Sequence, residues 1–437
     1  MLIQNGSNLQ KILANILWML FDKVFLILLN LVVTVQVANY YGRHEYGTYE
    51  YAVSIVAIFE ILVAFVDPRV VKKRYTSVKA EDIVWNAVFV RVLFSVFSLL
   101  GGIIYVLLSD GDRKFDIIFI ILLFNAVIIN LRFGMQNRYE YLLKSKKVII
   151  AGNVGLAVGG ILQLAAVMYQ LPIIVIALIT LVSSSLSLVI IYIQYYRDYG
   201  ELTNGKFSRL LAKEFILESL PLAIAASCAI IYARCGTVMV GNMLTKADVG
   251  IYAISLKLIS GISIMLGPIR ESVYPKMIEL YKKNKEEYAA QYVRITSLLT
   301  WLFILGALAS FVVLPYLFRF LKPEYAVAFP IYQIFVFGVL FMYNAGLRAG
   351  HFTLIQRGDI VMYAQIVSVA INVVLNYFLI RQIGLYGAAV STAITQGISL
   401  FISNLFFGKD GKEVFIWQLK GLNPMYCFKK QGIAIKS

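Results

Sequence analysis

The chain has 437 residues, 60% of them hydrophobic and only 15% charged, with a net charge of +16 and a mean hydropathy of +0.78. A soluble domain carries nearer a quarter charged residues, so a water-soluble globular fold is excluded. The basic excess lies in short segments between apolar runs, which makes it a signal of membrane orientation rather than of nucleic-acid binding.

The apolar runs are about 20 residues long, the length a helix needs to cross ~30 Å of hydrocarbon. In chain order they predict spans near 12–39, 49–69, 83–108, 115–133, 148–170, 172–196, 215–240, 250–270, 293–318, 330–350, 361–380 and 385–407. All should be helices, because lipid leaves backbone groups unsatisfied and no alternating barrel pattern occurs. The first run is longer than a signal-peptide core and lacks a small-residue cleavage site, so it reads as a retained helix. The expected fold is therefore all-α, a polytopic membrane protein of about 12 transmembrane helices. With the N-terminus inside, inner segments carry 29 Lys and Arg and outer loops 7, counting span ends with their loops. That asymmetry places both termini in the cytoplasm.

An internal repeat divides the spans. HEYGTYEYA (His44–Ala52) follows span one and KADVGIYAIS (Lys246–Ser255) follows span seven. Gly47 aligns with Gly250 and Tyr49 with Tyr252, each 203 residues apart, and Glu45 stands opposite Asp248. Each stretch is read as an outer turn in which Gly permits the backbone and Tyr anchors at the interface. Parallel repeats of this kind belong to transporters whose two bundles rock about a central site. The expected organisation is a six-helix lobe over 1–200, a second over 201–408, and a basic, aromatic cytoplasmic tail over 409–437. That tail is read either as lying on the inner membrane surface or as solvated.

Charges inside the spans are the candidate functional groups, since each costs about 2.5–3.5 kcal/mol at helix centre and faces a cavity or a partner. The basic ones are Lys23, Arg91, Arg234 and Lys257; the acids are chiefly Asp22 and Glu60. Lys23 and Glu60 are each about eleven residues into antiparallel spans, so the two could pair. Asp22 and Lys23, adjacent in sequence, point apart. Arg234 and Lys257 lie roughly 10 Å deep on the outer side, where they either snorkel or line a cavity. Arg91, nearer the cytoplasmic end, is long enough to snorkel. Arg348 and His351 are expected at the interface. Arg and Lys bind phosphate oxygens by charge-assisted hydrogen bonds, and Arg's planar fork suits them best. Asn372 and Asn376, one turn apart, could join Thr392 and Thr395 in offering oxygens to Na⁺, or simply bond between helices.

Three cysteines and two distant histidines form no disulfide framework or zinc pattern. NGKFS, FGKD and DGKE all fail the spacing of a phosphate-binding loop, so direct ATP hydrolysis is not expected. No paired inward-facing acids suggest an enzyme, no cofactor is expected, and coupling to a Na⁺ or H⁺ gradient is equally compatible with the chain.

Three stretches carry a family resemblance: the opening NILWMLFDKVFLILLNLVVTVQVANYYGRHEYGTYEYA, the middle YARCGTVMVGNMLTKADVGIYAISLKLI and the late NVVLNYFLIRQIGLYGAAVSTAIT. In order and spacing the chain, from about Leu9 to Gly408, resembles the polysaccharide or O-antigen (Wzx-type) flippases of the multidrug/oligosaccharidyl-lipid/polysaccharide exporter superfamily. The resemblance implies two six-helix lobes around a central cavity that opens alternately to each side. It implies an undecaprenyl-diphosphate-linked oligosaccharide as cargo, membrane lipids and other polysaccharide assembly proteins as partners, and an inner cell membrane location. Lys23, Arg91, Arg234 and Lys257 would then meet the diphosphate, with Asp22 and Glu60 as charge partners. One departure is local: many relatives have Arg-x-Asp where this chain has Arg234, Cys235 and Gly236. Twelve spans also lack the extra helix pair of peptidoglycan-precursor flippases, which favours the polysaccharide branch. The rival reading is a multidrug exporter of the same superfamily, which would want acidic rather than basic spans. A membrane sugar polymerase would need a larger outer loop.

Overall fold

The structure, a computed structural model, describes the backbone of residues 6–109, 112–200, 204–264 and 266–428, and the side chains of 29–109, 112–200, 204–260, 273–274 and 276–428. Its helices are α1 (Gly6–Val63), α2 (Pro68–Arg74), α3 (Ala80–Leu108), α4 (Arg113–Leu131), α5 (Phe133–Tyr141), α6 (Ser145–Met168), α7 (Ile174–Tyr199), α8 (Arg209–Met243), α9 (Lys246–Ile264), α10 (Leu266–Lys283), α11 (Lys285–Phe318), α12 (Ala328–Met342), α13 (Ala345–Leu354), α14 (Gly358–Ile383), α15 (Leu385–Leu400), α16 (Gly408–Lys420) and α17 (Met425–Phe428). Among the described residues there is no strand, and ten helical segments are long and apolar enough to cross a membrane. The protein is a multi-pass membrane protein. The expected spans 12–39 and 250–270 fall partly on residues whose side chains lie outside the described set.

The helices gather into two compact units, one of residues 36–250 and one of 251–437 together with 1–35. In the first, α1 breaks its helical path at Gly42 (φ 73, ψ 169), a backbone conformation that favours glycine. The stretch beyond that break packs against the turn between α8 and α9 through the repeat glycines. A Cβ on Gly47 would lie 1.7 Å from the Lys246 carbonyl oxygen and 2.7 Å from Gly250 N. A Cβ on Gly250 would lie 2.2 Å from the Arg43 carbonyl oxygen. Arg43 and Lys246 are themselves 203 residues apart, so the two turns contact each other reciprocally, as two copies related by a two-fold must. Elsewhere in this unit Gly155 and Gly159 of α6 press on α7, with the Ser183 hydroxyl donating to the Gly155 carbonyl (2.6 Å). The foot of α8 is seated by Leu211, Ala212 and Phe215 among Val66, Val70, Val71, Ile83 and Val90.

The unit of 251–437 is built on α12, α14 and α15, which pack side by side. Backbone conformation carries the repeat further than side chains do. Leu143 (φ 55) after α5 and Gln356 (φ 59) after α13 are 213 residues apart and follow helix ends of matching geometry, Leu142 (φ −82, ψ 9) and Ile355 (φ −87, ψ 9). Gln170 and Gly384 form a second pair, 214 apart, and Gly200 and Gly408 a third, 208 apart. A single residue of positive φ closes a helix in the first two pairs and at Gly200, and opens α16 at Gly408. Leu143 stands opposite Gln356 and Gln170 opposite Gly384, so only the third pair shares a letter.

Gly47→Ala is expected to destabilise the protein by about 1–3 kcal/mol, the usual cost of overpacking. Gly306→Ala, whose Cβ would meet nothing within 4 Å, is expected to leave the melting temperature in detergent unchanged or raise it, since Ala suits a helix interior better than Gly.

Candidate functional site

Arg91 lies on the buried stripe of α3 with Asn86, Val90, Ser95 and Ser98. It does not snorkel: only 7% of its surface is exposed. Its Nη2 donates to the Val66 carbonyl (2.8 Å) and its Nη1 to Asn130 Oδ1 on α4, while the guanidinium stacks 3.4 Å over the Phe133 ring. Asn130 Nδ2 in turn donates to Glu60 Oε1 (3.3 Å), so Glu60, half-buried, is linked to Arg91 through one amide. The Arg91 Nε is buried with no partner. The side chains of Asp22 and Lys23 lie outside the described residues, and the expected Lys23–Glu60 pair with them.

Arg234 is placed quite differently. Helix α8 is buried from Leu211 to Ala223 and again from Cys235 to Val240, but no residue between Ala223 and Cys235 is buried. Arg234 closes that uncovered stretch of three turns, half-exposed, and has no hydrogen bond or carboxylate partner among the described residues. Beyond it, Tyr51 donates to Asn242 Oδ1 (2.5 Å), and the Lys246 ammonium sits 3.0 Å from the centroid of the Tyr51 ring. Burial lowers the Lys246 pKa to about 8, so this cation–π contact is held below that pH and fades above it. Lys257 belongs to the other unit, exposed on α9. The repeat motifs contain Tyr51 and Lys246, yet nothing in the sequence marks either of them, or Asn242, as a partner of the others.

The oxygen set of the second unit is partly assembled. Asn372 Nδ2 donates to Thr395 Oγ1 (3.4 Å), and Asn376 Nδ2 donates to both the carbonyl and Oδ1 of Asn372 (2.9 Å each). Asn376 Oδ1 is buried with no partner. Thr392 instead turns its hydroxyl to the Ala388 carbonyl (2.9 Å). Arg348 and His351, expected at the interface, are buried. Arg348 Nε donates to Asn404 Oδ1 (2.7 Å), and His351 Nδ1 is 2.9 Å from the Tyr288 hydroxyl. Their cover is α16, which the sequence did not separate from a loose tail.

The family described as polysaccharide biosynthesis protein matches residues 12–281. The chain belongs to that family. No protein of curated function matches the sequence. Among solved structures, the fold is similar to the lipid II flippase MurJ in an inward closed conformation, with 15% identity over 92% of this chain and 90% of that one and a TM-score of 0.68. It is similar to an inward-facing multidrug resistance MATE family transporter of the MOP superfamily, with 13% identity over 91% and 96% and a TM-score of 0.67. It is also similar to the MATE multidrug transporter DinF-BH, with 14% identity over 90% and 94% and a TM-score of 0.64. The fold of this chain is thereby shown to be the one these solved structures share.

Arg91→Leu leaves the Val66 carbonyl and Asn130 Oδ1 without their donor and should destabilise the protein by about 1–3 kcal/mol. Arg234→Gln breaks no bond and should melt with the unmutated protein; thermal unfolding in detergent separates the two.

Proposed function

We propose that the protein translocates an undecaprenyl-diphosphate-linked oligosaccharide repeat unit from the inner to the outer leaflet by alternating access, for surface polysaccharide or O-antigen synthesis. The observation that carries this reading is the unpartnered Arg234 on the uncovered stretch of α8 in a member of the polysaccharide biosynthesis family. A diphosphate leaves water only if charged donors replace its hydration, and a guanidinium already spent on the protein cannot do so. Arg234 is the free donor, whereas Arg91 is held by Asn130 and the Val66 carbonyl. Sugar hydroxyls would be met by Asn, Gln, Tyr and Ser side chains of the spans.

The work is transport, not bond-making, with no cofactor in the cycle. An inside-negative membrane assists outward movement of net negative charge by ~2.3 kcal/mol per charge per 100 mV. Exchange with Na⁺ at Asn372, Asn376 and Thr395, with Thr392 beside them, or with H⁺, is the second source of drive; the orphan Asn376 Oδ1 is the observation that favours the first. We assign the protein to the inner cell membrane with both termini cytoplasmic, among membrane lipids and other polysaccharide assembly proteins. Nucleic acid has no part in it. The alternative, a multidrug exporter of the same superfamily, would attract cationic drugs with free carboxylates, and the free group on α8 is a cation.

In a host whose own flippase is deleted, Arg234→Gln is expected to abolish surface glycan while the variant reaches the membrane at the normal level. Normal glycan would return Arg234 to an interfacial residue.

A further inference from the structure

Residues 408–428 do not form a loose tail. Helix α16 starts two residues after the last span, which closes at Phe406. It buries one stripe, Gly411, Val414 and Gln418, spaced three and four apart. Val414 packs with Phe352 and Ile360. Gln418 accepts from Asn404 Nδ2 (2.9 Å) and donates to the Leu400 carbonyl (3.2 Å), extending the buried Arg348–Asn404 pair into α16.

From there the chain climbs α11. The Trp417 ring lies 6.0 Å from Tyr288 and 5.0 Å from Tyr292, Ser297 Oγ donates to the Asn423 carbonyl (2.9 Å), and Trp301 Nε1 donates to the Leu422 carbonyl (3.1 Å). Tyr288 to Trp301 is about 20 Å of helix at 1.5 Å per residue. Helix α11 carries Lys285, Glu286, Glu287 and Arg294, and then no charge from Ile295 to Phe318. Residues 421–427 thus lie beside the first uncharged turns of a membrane span, at the depth of one leaflet rather than in water. The outward face agrees: Leu419, Leu422, Met425 and Phe428 are exposed, the last two by 67% and 86%. Ahead of them stand Lys409, Lys412 and Lys420, whose ammonium groups have no partner among the described residues; Asp410 is taken by Arg357 (3.4 Å).

We propose that residues 408–428 form an interfacial hook that binds acidic phospholipid, with Lys409, Lys412 and Lys420 on the headgroup phosphates and Leu419, Leu422, Met425 and Phe428 among the acyl chains. Charge complementarity and apolar depth select this occupant: an anionic headgroup meets the lysines only at the height where acyl chains cover the apolar face. The hook is anchored to α11 and does not depend on the cargo.

The test uses the full-length protein. Retention of phosphatidylglycerol and phosphatidylcholine from mixed micelles is read by native mass spectrometry. The unmutated chain should retain phosphatidylglycerol preferentially. The triple variant Lys409→Gln, Lys412→Gln, Lys420→Gln should lose about fivefold or more of that retention, since each lysine near an anionic surface contributes separately. Neutralising the exposed Lys276, Lys282 and Lys285 should change it by less than about twofold. A nitroxide at Leu419→Cys or Leu422→Cys, with the three native cysteines replaced by Ser and the protein in phosphatidylglycerol vesicles, should be more accessible to oxygen than to a nickel chelate. Equal losses from both triple variants, or labels that favour the nickel chelate, would overturn the proposal. The label measurement leaves the lysines intact and stands even if the triple variant fails to fold.

Discussion

Hydrocarbon offers no partner to a charge, so every ionised or amide group in the spans must find one within the protein, in a water-filled cavity, or at the lipid surface. The three fates are separated here by the burial of individual side chains. Arg91 takes the first: two carbonyl-type acceptors and an aromatic face enclose it, and its role is to join α3, α4 and the segment between α1 and α2. Arg234 is offered no such company and keeps its whole donor set. Lys409, Lys412 and Lys420 point outward beside an apolar face. Arg91 and Arg234, which look alike in the sequence, thus divide into a structural group and a free one, and only the free one is available to an anion.

The same constraint explains the glycines of the repeat. The two turns approach so closely that a Cβ at Gly47 or Gly250 would occupy the space of the facing carbonyl. The reciprocal pairing of Gly47 with Lys246 and of Gly250 with Arg43 makes this crossing a relic of the duplication as well as a packing solution. Tyr51, Asn242 and Lys246 surround it with a hydrogen bond and a cation–π contact.

Much of the fold was legible because hydropathy period and length are local properties. The spans from 83 to 240 and from 293 to 407 coincide with helices, and the offset of 203 residues led directly to the crossing at Gly47 and Gly250. Less of the site was legible. Depth along a span says how far Arg91 and Arg234 are from water, but not which way each faces, and rotation about the helix axis is decided by neighbours remote in sequence such as Asn130 and Phe133. Arg348 and His351 read as interfacial because the helix covering them, α16, is amphipathic and polar enough to pass for a solvated tail. Asn372, Asn376 and Thr395 share a face as their spacing requires, whereas Thr392 turns to its own helix backbone, a choice no spacing rule contains.

Translocation itself is most directly tested with the purified protein in proteoliposomes holding a polyprenyl-diphosphate-linked oligosaccharide, with a membrane-impermeant lectin reporting the sugar that reaches the far leaflet. Protein-dependent arrival of sugar, lost with Arg234→Gln, is the predicted result. Arrival no faster than in protein-free vesicles, together with transport of a cationic dye by the same preparation, would contradict the account and make the protein a drug exporter.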